Sequence, residues 1–541
     1  MVLGGTILVG GSACSDLKAG ALRDGGVADG PRVAGDAVRS SDAPVQDYSV
    51  SATGPAIVHR GEHARIHIRV TRSAGFSAAI SVSLDSAAAV GLVVATLTLA
   101  NGSAEGDLEL SASAMASVGT WPLEVVARAQ GIERRAGFSL GIVPQMGAPD
   151  VAFGSGGEVR GRVFTGDFRP GTLGVEPDGA VLVGGLAQTS APSCGDQNIG
   201  GFVLARFAAS GAPDTRFGGG TVGFGGDGVY FSRLTRDAQG RPVALMFAQT
   251  TGNARTGLGF ARWKTDGALD ATFGDGGRHF ADAGQNAKTE NGTLAIDGAG
   301  RIVATGFLNG QGVNVPMAVR LLESGAPDPS FGTAGLVRLD EFLGRSAYSP
   351  QVAVARDGKI YLQTLSVIRL GTGGAIDPSF GTAGRLDLGF AATVLPNDDG
   401  TFLLVGSADS AHLVIERRRI DGSVDGTFAK VDIDLSARIS SGLLFDRWVF
   451  DGPDRIVVLF FDTGVGQETK LVGQAYERSA TGWQPVIGDS VPVAFPTGEL
   501  HAGWAIVAGE GGPPKLVVVR YKNVGVLPAC QKETIVRRHW L

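Results

Sequence analysis

The feature that most restricts what this chain can fold into is a recurring pentapeptide, Asp-x-x-Phe-Gly. Asp is followed three residues later by Phe at Asp150/Phe153, Asp214/Phe217, Asp270/Phe273, Asp328/Phe331, Asp377/Phe380 and Asp425/Phe428. In the first five cases the next residue is Gly (Gly154, Gly218, Gly274, Gly332, Gly381), and in the sixth it is Ala429. Successive anchors lie 64, 56, 58, 49 and 48 residues apart. That spacing suits four-stranded antiparallel units and is too long for leucine-rich or ankyrin repeats. An array of this kind lengthens by adding units and not by enlarging one core, which reconciles 541 residues with modest aromatic content. Glycine at 84 of 541 residues further favours many tight turns between short strands over long helices, so the expected class is all-β.

Two more elements recur in fixed order after each anchor. Turns rich in Asp and Gly follow a first strand at Pro177-Asp178-Gly179, Asp237 to Gly240, Asp297 to Gly300, Arg356-Asp357-Gly358, Asp398-Asp399-Gly400, Asp451-Gly452-Pro453 and Pro496-Thr497-Gly498. Apolar strands, most of them carrying Arg, end the units at Phe202 to Phe207, Phe260 to Trp263, Met317 to Leu321, Ser366 to Leu370, Leu413 to Arg417, Leu471 to Tyr476 and Leu516 to Tyr521. Turns and strands count seven where anchors count six.

Together these residues resemble the delta-60 repeat family of bacterial proteins, whose units carry the same Asp-x-x-Phe-Gly, Asp-Gly turn and apolar-Arg-Leu elements. The resemblance covers about residues 147 to 525 and implies a β-propeller. The array is assigned to residues 146–527, with a C-terminal tail at 528–541. Seven blades are expected, and six remain open on the anchor count. In such a ring Phe would fill the space between blades, Asp would cap the preceding turn, and Gly would take a backbone angle closed to other residues. These are structural roles, and their repetition in every unit argues against a catalytic one.

Residues 48–145 carry a different pattern, short strands alternating at period two. Ala64 to Val70, Ala79 to Leu84, Leu97 to Leu99, Gly106 to Leu110, Pro122 to Ala127 and Phe138 to Val143 are the clearest. Alternation gives each strand one wet and one buried face, as a β-sandwich requires. Arg60-Gly61-Glu62, Arg72 to Phe76 and Gly119 to Leu123 make this segment similar to the immunoglobulin-like modules of bacterial surface proteins. With no Cys pair inside it, packing alone must hold the two sheets.

Before this segment, residues 15–47 lack apolar periodicity and read as a disordered linker. Residues 1–14 are apolar or small and run through Gly11-Ser12-Ala13 into Cys14, after which the chain turns polar. This resembles a bacterial lipoprotein signal, which implies lipidation at Cys14 and a place in the cell envelope, at the outer membrane or cell surface; secretion is the alternative. Cys194 and Cys530 are the other two cysteines, and in an oxidising compartment they can pair to close a loop of more than 300 residues.

The chemistry-bearing signals are sparse. A net charge of −6 offers no basic stripe for nucleic acid. His59, His63 and His67 recur every fourth residue, but on a strand His63 and His67 stand about 13 Å apart, too far for one metal. The Gly-rich run from Phe217 to Gly228 lacks both the helix and the Lys-Ser/Thr of a phosphate loop. No metal and no cofactor are expected, and no residue is assigned to catalysis. Loops at Gln188 to Gly200, Gln249 to Gly257, Leu308 to Val315 and Asp462 to Lys470 are the expected binding surface. The favoured function is a monomeric, non-catalytic module for a protein or glycan ligand, touching the membrane only through its lipid. The alternative is a propeller hydrolase or lyase acting on polysaccharide through paired carboxylates.

Overall fold

The computed structural model describes residues 47–540 apart from 55–56, 162–166, 177, 189–198, 219–227, 250–255, 283–291, 311–312, 340–350, 364–365, 391, 410–411, 429, 435–443, 451–454, 463–469, 480–481, 486–490, 494–499, 510–511 and 525–530. Apart from a three-residue 3-10 turn at Ala88–Val90, the regular structure of the described residues is β. No helix among them is long and apolar enough to cross a membrane. Two compact units meet in sequence between Met146 and Gly147.

In the first unit, alternation sets the architecture. Ala64, Ile66, Ile68 and Val70 point inward from the strand His63–Arg72, while its intervening residues face outward. This strand lies in a four-stranded sheet ordered Tyr48–Thr53, His63–Arg72, Glu105–Ala112, Leu92–Val94. A five-stranded sheet is ordered Ile57–His59, Ile132–Val143, Gly119–Ala129, Ile80–Asp85, Leu97–Leu99. Its first pair is parallel, Ile57 opposite Gly141 and His59 opposite Val143. One core joins both sheets, with Ile66, Ile68 and Leu108 from one and Ile80, Val125 and Leu140 from the other. The unit is therefore a two-sheet sandwich held by packing, as its period-two strands predict.

The second unit contains seven small antiparallel sheets among the described residues. The first holds Asp167–Val175, Val181–Gln188 and Ile199–Phe207; the second Gly228–Arg236, Pro242–Gln249, Thr256–Arg262 and Arg278–Asp282. The third holds Leu294–Ile296, Ile302–Gly310, Val313–Leu321 and Leu336–Arg338; the fourth Gln351–Val354, Ile360–Gln363, Ser366–Leu370 and Arg385–Asp387; the fifth Ala392–Pro396, Phe402–Asp409, His412–Arg418 and Val431–Asp434. The sixth runs Leu444–Phe450, Arg455–Asp462, Lys470–Ser479, with Gly482–Pro485 and Val491–Val493 sharing its last edge. The seventh runs Leu500–Gly509, Gly512–Val524, Gln531–Trp540, and takes its last strand, Glu158–Gly161, from the start of the array.

The middle strands of the first five sheets are apolar on both faces because each of these sheets is covered on two sides. On the strand Ile302–Gly310, Ile302 and Ala304 pack with Val243, Leu245 and Phe260 of the second sheet, while Val303 packs with Ile360 and Leu362 of the fourth. Similar cores join the first sheet to the second, the fourth to the fifth and the fifth to the sixth. Val517 and Val536 of the seventh sheet share a core with Leu173, Val183 and Val203 of the first.

The sequence boundary at 527 shifts accordingly. The segment read as a C-terminal tail, 528–541, contains the strand Gln531–Trp540, hydrogen-bonded on both sides. Leu516 to Tyr521, read as the last strand of its unit, is the strand before it. Cys14, Cys194, Cys530 and the turns at 451–453 and 496–498 lie outside the described residues, as do most of the loop residues singled out above.

Candidate functional site

The six anchors sit at equivalent places in six sheets, beside the third strand; in five of these sheets a fourth strand is present among the described residues, while the first sheet, which carries Asp214, has three strands there. Their chemistry begins with an arginine that the third strand buries. Arg262, Arg320 and Arg369 are at most 3% exposed, yet each is bonded to its anchor aspartate and to the following sheet. Nε donates to the anchor carboxylate eight residues on, at 2.8 Å for Arg262 and Asp270, 2.8 Å for Arg320 and Asp328 and 3.0 Å for Arg369 and Asp377. Arg417 meets Asp425 in the same way at 2.6 Å, and Arg206 reaches Asp214 through Nη1 at 2.6 Å. One Nη donates across to the following sheet, Arg262 to the Glu323 carbonyl, Arg320 to that of Thr372 and Arg369 to that of Ile420. Nη2 of Arg320, Arg369 and Arg417 donates to the hydroxyl of Ser330, Ser379 and Thr427 respectively. The guanidinium lies over the anchor ring, 4.7 Å from the centre of Phe273, 4.5 Å from that of Phe331 and 4.6 Å from that of Phe380.

The aspartate's second oxygen serves the turn after it. Oδ1 of Asp328 accepts from the Ser330 amide at 2.9 Å and its hydroxyl at 2.7 Å; Asp270 with Thr272, Asp377 with Ser379 and Asp425 with Thr427 repeat the pattern. Anchor Asp therefore caps the following turn and not, as expected, the preceding one. The strand leads its carboxylate forward, where i+2 amides converge. Preceding turns have their own caps, such as Asp266 accepting from the Ala268 amide and Asp421 from that of Ser423.

Burial alone would raise the Asp328 carboxyl, but the Ser330 hydroxyl and amide and the Arg320 guanidinium outweigh it and hold it below the usual range. The same balance lowers Asp270, with Thr272 and Arg262, and Asp377, with Ser379 and Arg369. Asp425, Asp214 and Asp150 are lowered too, chiefly by Thr427, by Arg206, and by Lys515 with Arg538 against burial. All six carboxylates are thus anions in use as acceptors.

Gly and Phe complete the joint. Phe153, Phe273, Phe331 and Phe380 have no exposed surface, and each lies in the core shared by its own sheet and the next. The other two anchor rings correct the expectation that every anchor Phe fills the space between sheets. Phe428 is only partly buried, against the margin of the core between the fifth and sixth sheets, and Phe217 is likewise partly buried beside the core between the first and second. At Phe428 the covering guanidinium is itself withdrawn: Arg417 stands 5.5 Å from the ring centre and its side chain is 30% exposed, so the ring is less tightly covered than those of Phe331 and Phe380.

The anchor Gly amide donates to the turn of the following sheet: Gly154 to Ser210, Gly218 to Asp266, Gly274 to Ser324, Gly332 to Gly373 and Gly381 to Asp421, at 2.6 to 3.0 Å. At Gly332, φ is +53° and a Cβ would stand 2.2 Å from the Leu336 carbonyl oxygen. The accepting turn also needs Gly, since a Cβ on Gly325 would lie 2.6 Å from the Gly274 nitrogen.

The arrangement reassigns two units. Asp150 belongs to the seventh sheet, where Arg538 meets it at 2.6 Å across 388 residues of sequence and Lys515 adds a contact at 2.9 Å. The unmarked unit is the sixth. There Val457 pairs with buried Ala475, at the place where Val303 pairs with Arg320 in the third sheet. Read as sequence, the arginines are plain strand residues, and the turn glycines Gly211, Gly267, Gly325, Gly374 and Gly422 pass unnoticed. The constant eight-residue step from Arg to Asp, with Gly three residues before Asp, is the available signal.

The remaining candidates are dispersed. The His59 ring contacts the Pro144 carbonyl at 2.6 Å through Nδ1, and His67 lies 2.9 Å from Asp107 on an exposed face. Among the described residues no group of three His, Cys, Asp or Glu side chains could hold a metal ion. Residues 219–227 of the Gly-rich run lie outside the described set.

No family model matches the chain, and no curated protein matches it. Among solved structures, it is similar to the CARDB domain of the PF1109 protein of Pyrococcus furiosus, determined in complex with di-metal ions, at 15% identity over 20% of this chain and 100% of that one, with a TM-score of 0.15. Domains 4–9 of the surface layer protein SbsC match at 9% identity over 91% of this chain and 82% of that one, also with a TM-score of 0.15. Overlaps this low assign neither fold nor activity.

Proposed function

We propose that the seven sheets are the blades of a closed β-propeller of delta-60-like repeats, carried after an immunoglobulin-like sandwich on an exported bacterial protein lipidated at Cys14. The propeller serves at the cell envelope as a non-catalytic binding or scaffold module for a protein or glycan. The observation that carries the non-catalytic reading is the full use of the repeat's polar groups. Each anchor carboxylate is bonded to an arginine, and each also accepts from an amide of the turn that follows it. A hydrolytic pair needs one carboxyl raised and free to give up a proton, whereas these carboxylates are lowered and engaged. Support for closure comes from the seventh sheet, whose last strand is the array's first, and from the core it shares with the first sheet.

The test uses the purified chain lacking residues 1–14. It is presented to arrayed glycans and to envelope fractions, with release of reducing sugar measured on the same samples. Saturable binding without sugar release is expected, and sugar release would overturn the non-catalytic reading. Radiolabelled palmitate should enter the full chain and not its Cys14→Ser variant.

A further inference from the structure

Within the array, the described joints at the inner anchors connect arginine and aspartate eight residues apart. The seam between Glu158–Gly161 and Gln531–Trp540 connects the two ends instead, and it gathers an unusual set of titratable groups. Asp150 accepts from Arg538 and Lys515. Glu158 accepts from Arg537 at 2.6 Å and also meets Arg160. Between them His539 forms a bridge to Pro149, and its Nδ1 lies 3.0 Å from the Gly147 carbonyl, to which it donates. That bond leaves Nε2 as a bare acceptor, buried and with no hydrogen-bond partner among the described residues.

We propose that this seam is an acid-released clasp set by His539, which lets the array's first strand part from its last in mildly acidic surroundings while the inner sheets stay folded. A second proton on the ring would put a charge and a donor where no acceptor stands. The groups around it do not compensate. Arg537, on its own strand, repels the charged ring; Glu158, on the facing strand, attracts it but is already held by Arg537 and Arg160; the Gly147 carbonyl is in use; and the neighbouring strand places Leu516 opposite, next to Lys515.

The direction follows from burial, which lowers His539 below the ordinary imidazole value, against the weaker pull of the Gly147 carbonyl. With the seam open the ring takes its proton at the ordinary value of about 6.5. With the seam closed it does so only at lower pH, so the closed form loses ground as the pH falls below about 6.5. Glu158 and Asp150 are held below the usual carboxylate range, and their pairs fail only at lower pH still. The inference rests on the observed strand pairing and is independent of what the array binds.

Hydrogen exchange of the full chain, followed by mass spectrometry and corrected for intrinsic rates, tests it at about pH 7.5, 6 and 5. Peptides covering 158–161 and 531–540 should gain exchange several-fold between the first and last condition, while those covering 302–310 and 313–321 stay protected. His539→Asn keeps a donor for Gly147 and does not titrate, so its seam should stay closed throughout. His279, partly buried on the second sheet and also lowered by burial, provides the control, and His279→Asn should leave the seam's response intact. Simultaneous loss of protection in seam and inner strands would overturn the proposal. So would wild-type seam protection that is unchanged down to about pH 5, which leaves any opening to the carboxylate range, a reading that holds even if His539→Asn fails to fold.

Discussion

A buried arginine is costly to place and costlier to strand. Arg320 is 1% exposed and Asp328 2%, and either one left alone keeps a charge out of water. Arg320→Met should therefore destabilise the array by about 3–5 kcal/mol, read from its denaturant unfolding transition. The double variant Arg320→Met with Asp328→Asn should lose clearly less than the sum of the two single changes; additive losses would mean that the pair is not a unit. A milder strain sits nearby. Ala334 and Ala383 adopt φ of +51° and +52°, where the corresponding positions of other anchors hold Gly156 and Gly276. Ala334→Gly should raise stability by up to about 1 kcal/mol, because relief of the left-handed penalty exceeds the entropy that Gly adds to the unfolded chain. A measured loss would place the strain elsewhere.

At the level of strands and turns, the sequence is most legible where a single element carries its own signal. Period-two strands such as Ala64 to Val70 announce the sandwich, and the Asp-Gly turns announce hairpins before any pairing is known. Reading becomes less complete where meaning depends on a partner. Arg320 is an anomaly in an apolar strand until Asp328 is seen to wrap back on it. Phe428 carries the same anchor letters as Phe331, yet how deeply each ring is covered depends on the arginine above it and the sheet beside it, which the pentapeptide does not encode. Asp150 cannot be matched to its sheet from sequence, because its arginine lies 388 residues away. The sixth sheet lacks an anchor for the opposite reason: its strand Leu471 to Tyr476 is legible as an apolar strand but carries Ala475 where the others carry Arg. The strand Gln531–Trp540 resembles a tail because Arg537, Arg538 and His539 are polar, though all three are buried. Ending the chain before Gln531 should strip Glu158–Gly161 of its partner and bare Phe153. Limited proteolysis should then cut between residues 147 and 166 at neutral pH, where the full chain resists; equal resistance would contradict the pairing.

For the molecule as a whole, the six anchor carboxylates act in concert. Each is lowered in the folded chain, so each contributes stability that is complete above the ordinary Asp value of about 3.9 and is lost as the pH falls through the lower, folded value. The array's melting temperature should accordingly fall more between about pH 4 and pH 3 than between about pH 7 and pH 5. A uniform slope over the whole range would show that these joints contribute little. Because the inner pairs are buried, moderate salt should move the midpoint far less than acid does.

The placement of Glu158–Gly161 in the seventh sheet also sets a timetable. A ribosome adding roughly 5–20 residues per second emits this strand on the order of twenty seconds to more than a minute before the strand it pairs with exists. During that interval it has a place in no sheet, and Phe153 and Asp150 wait with it. Completion of the array thus waits until the strand Gln531–Trp540 has been made. A chain halted anywhere upstream is left unfinished at its beginning as well as at its end.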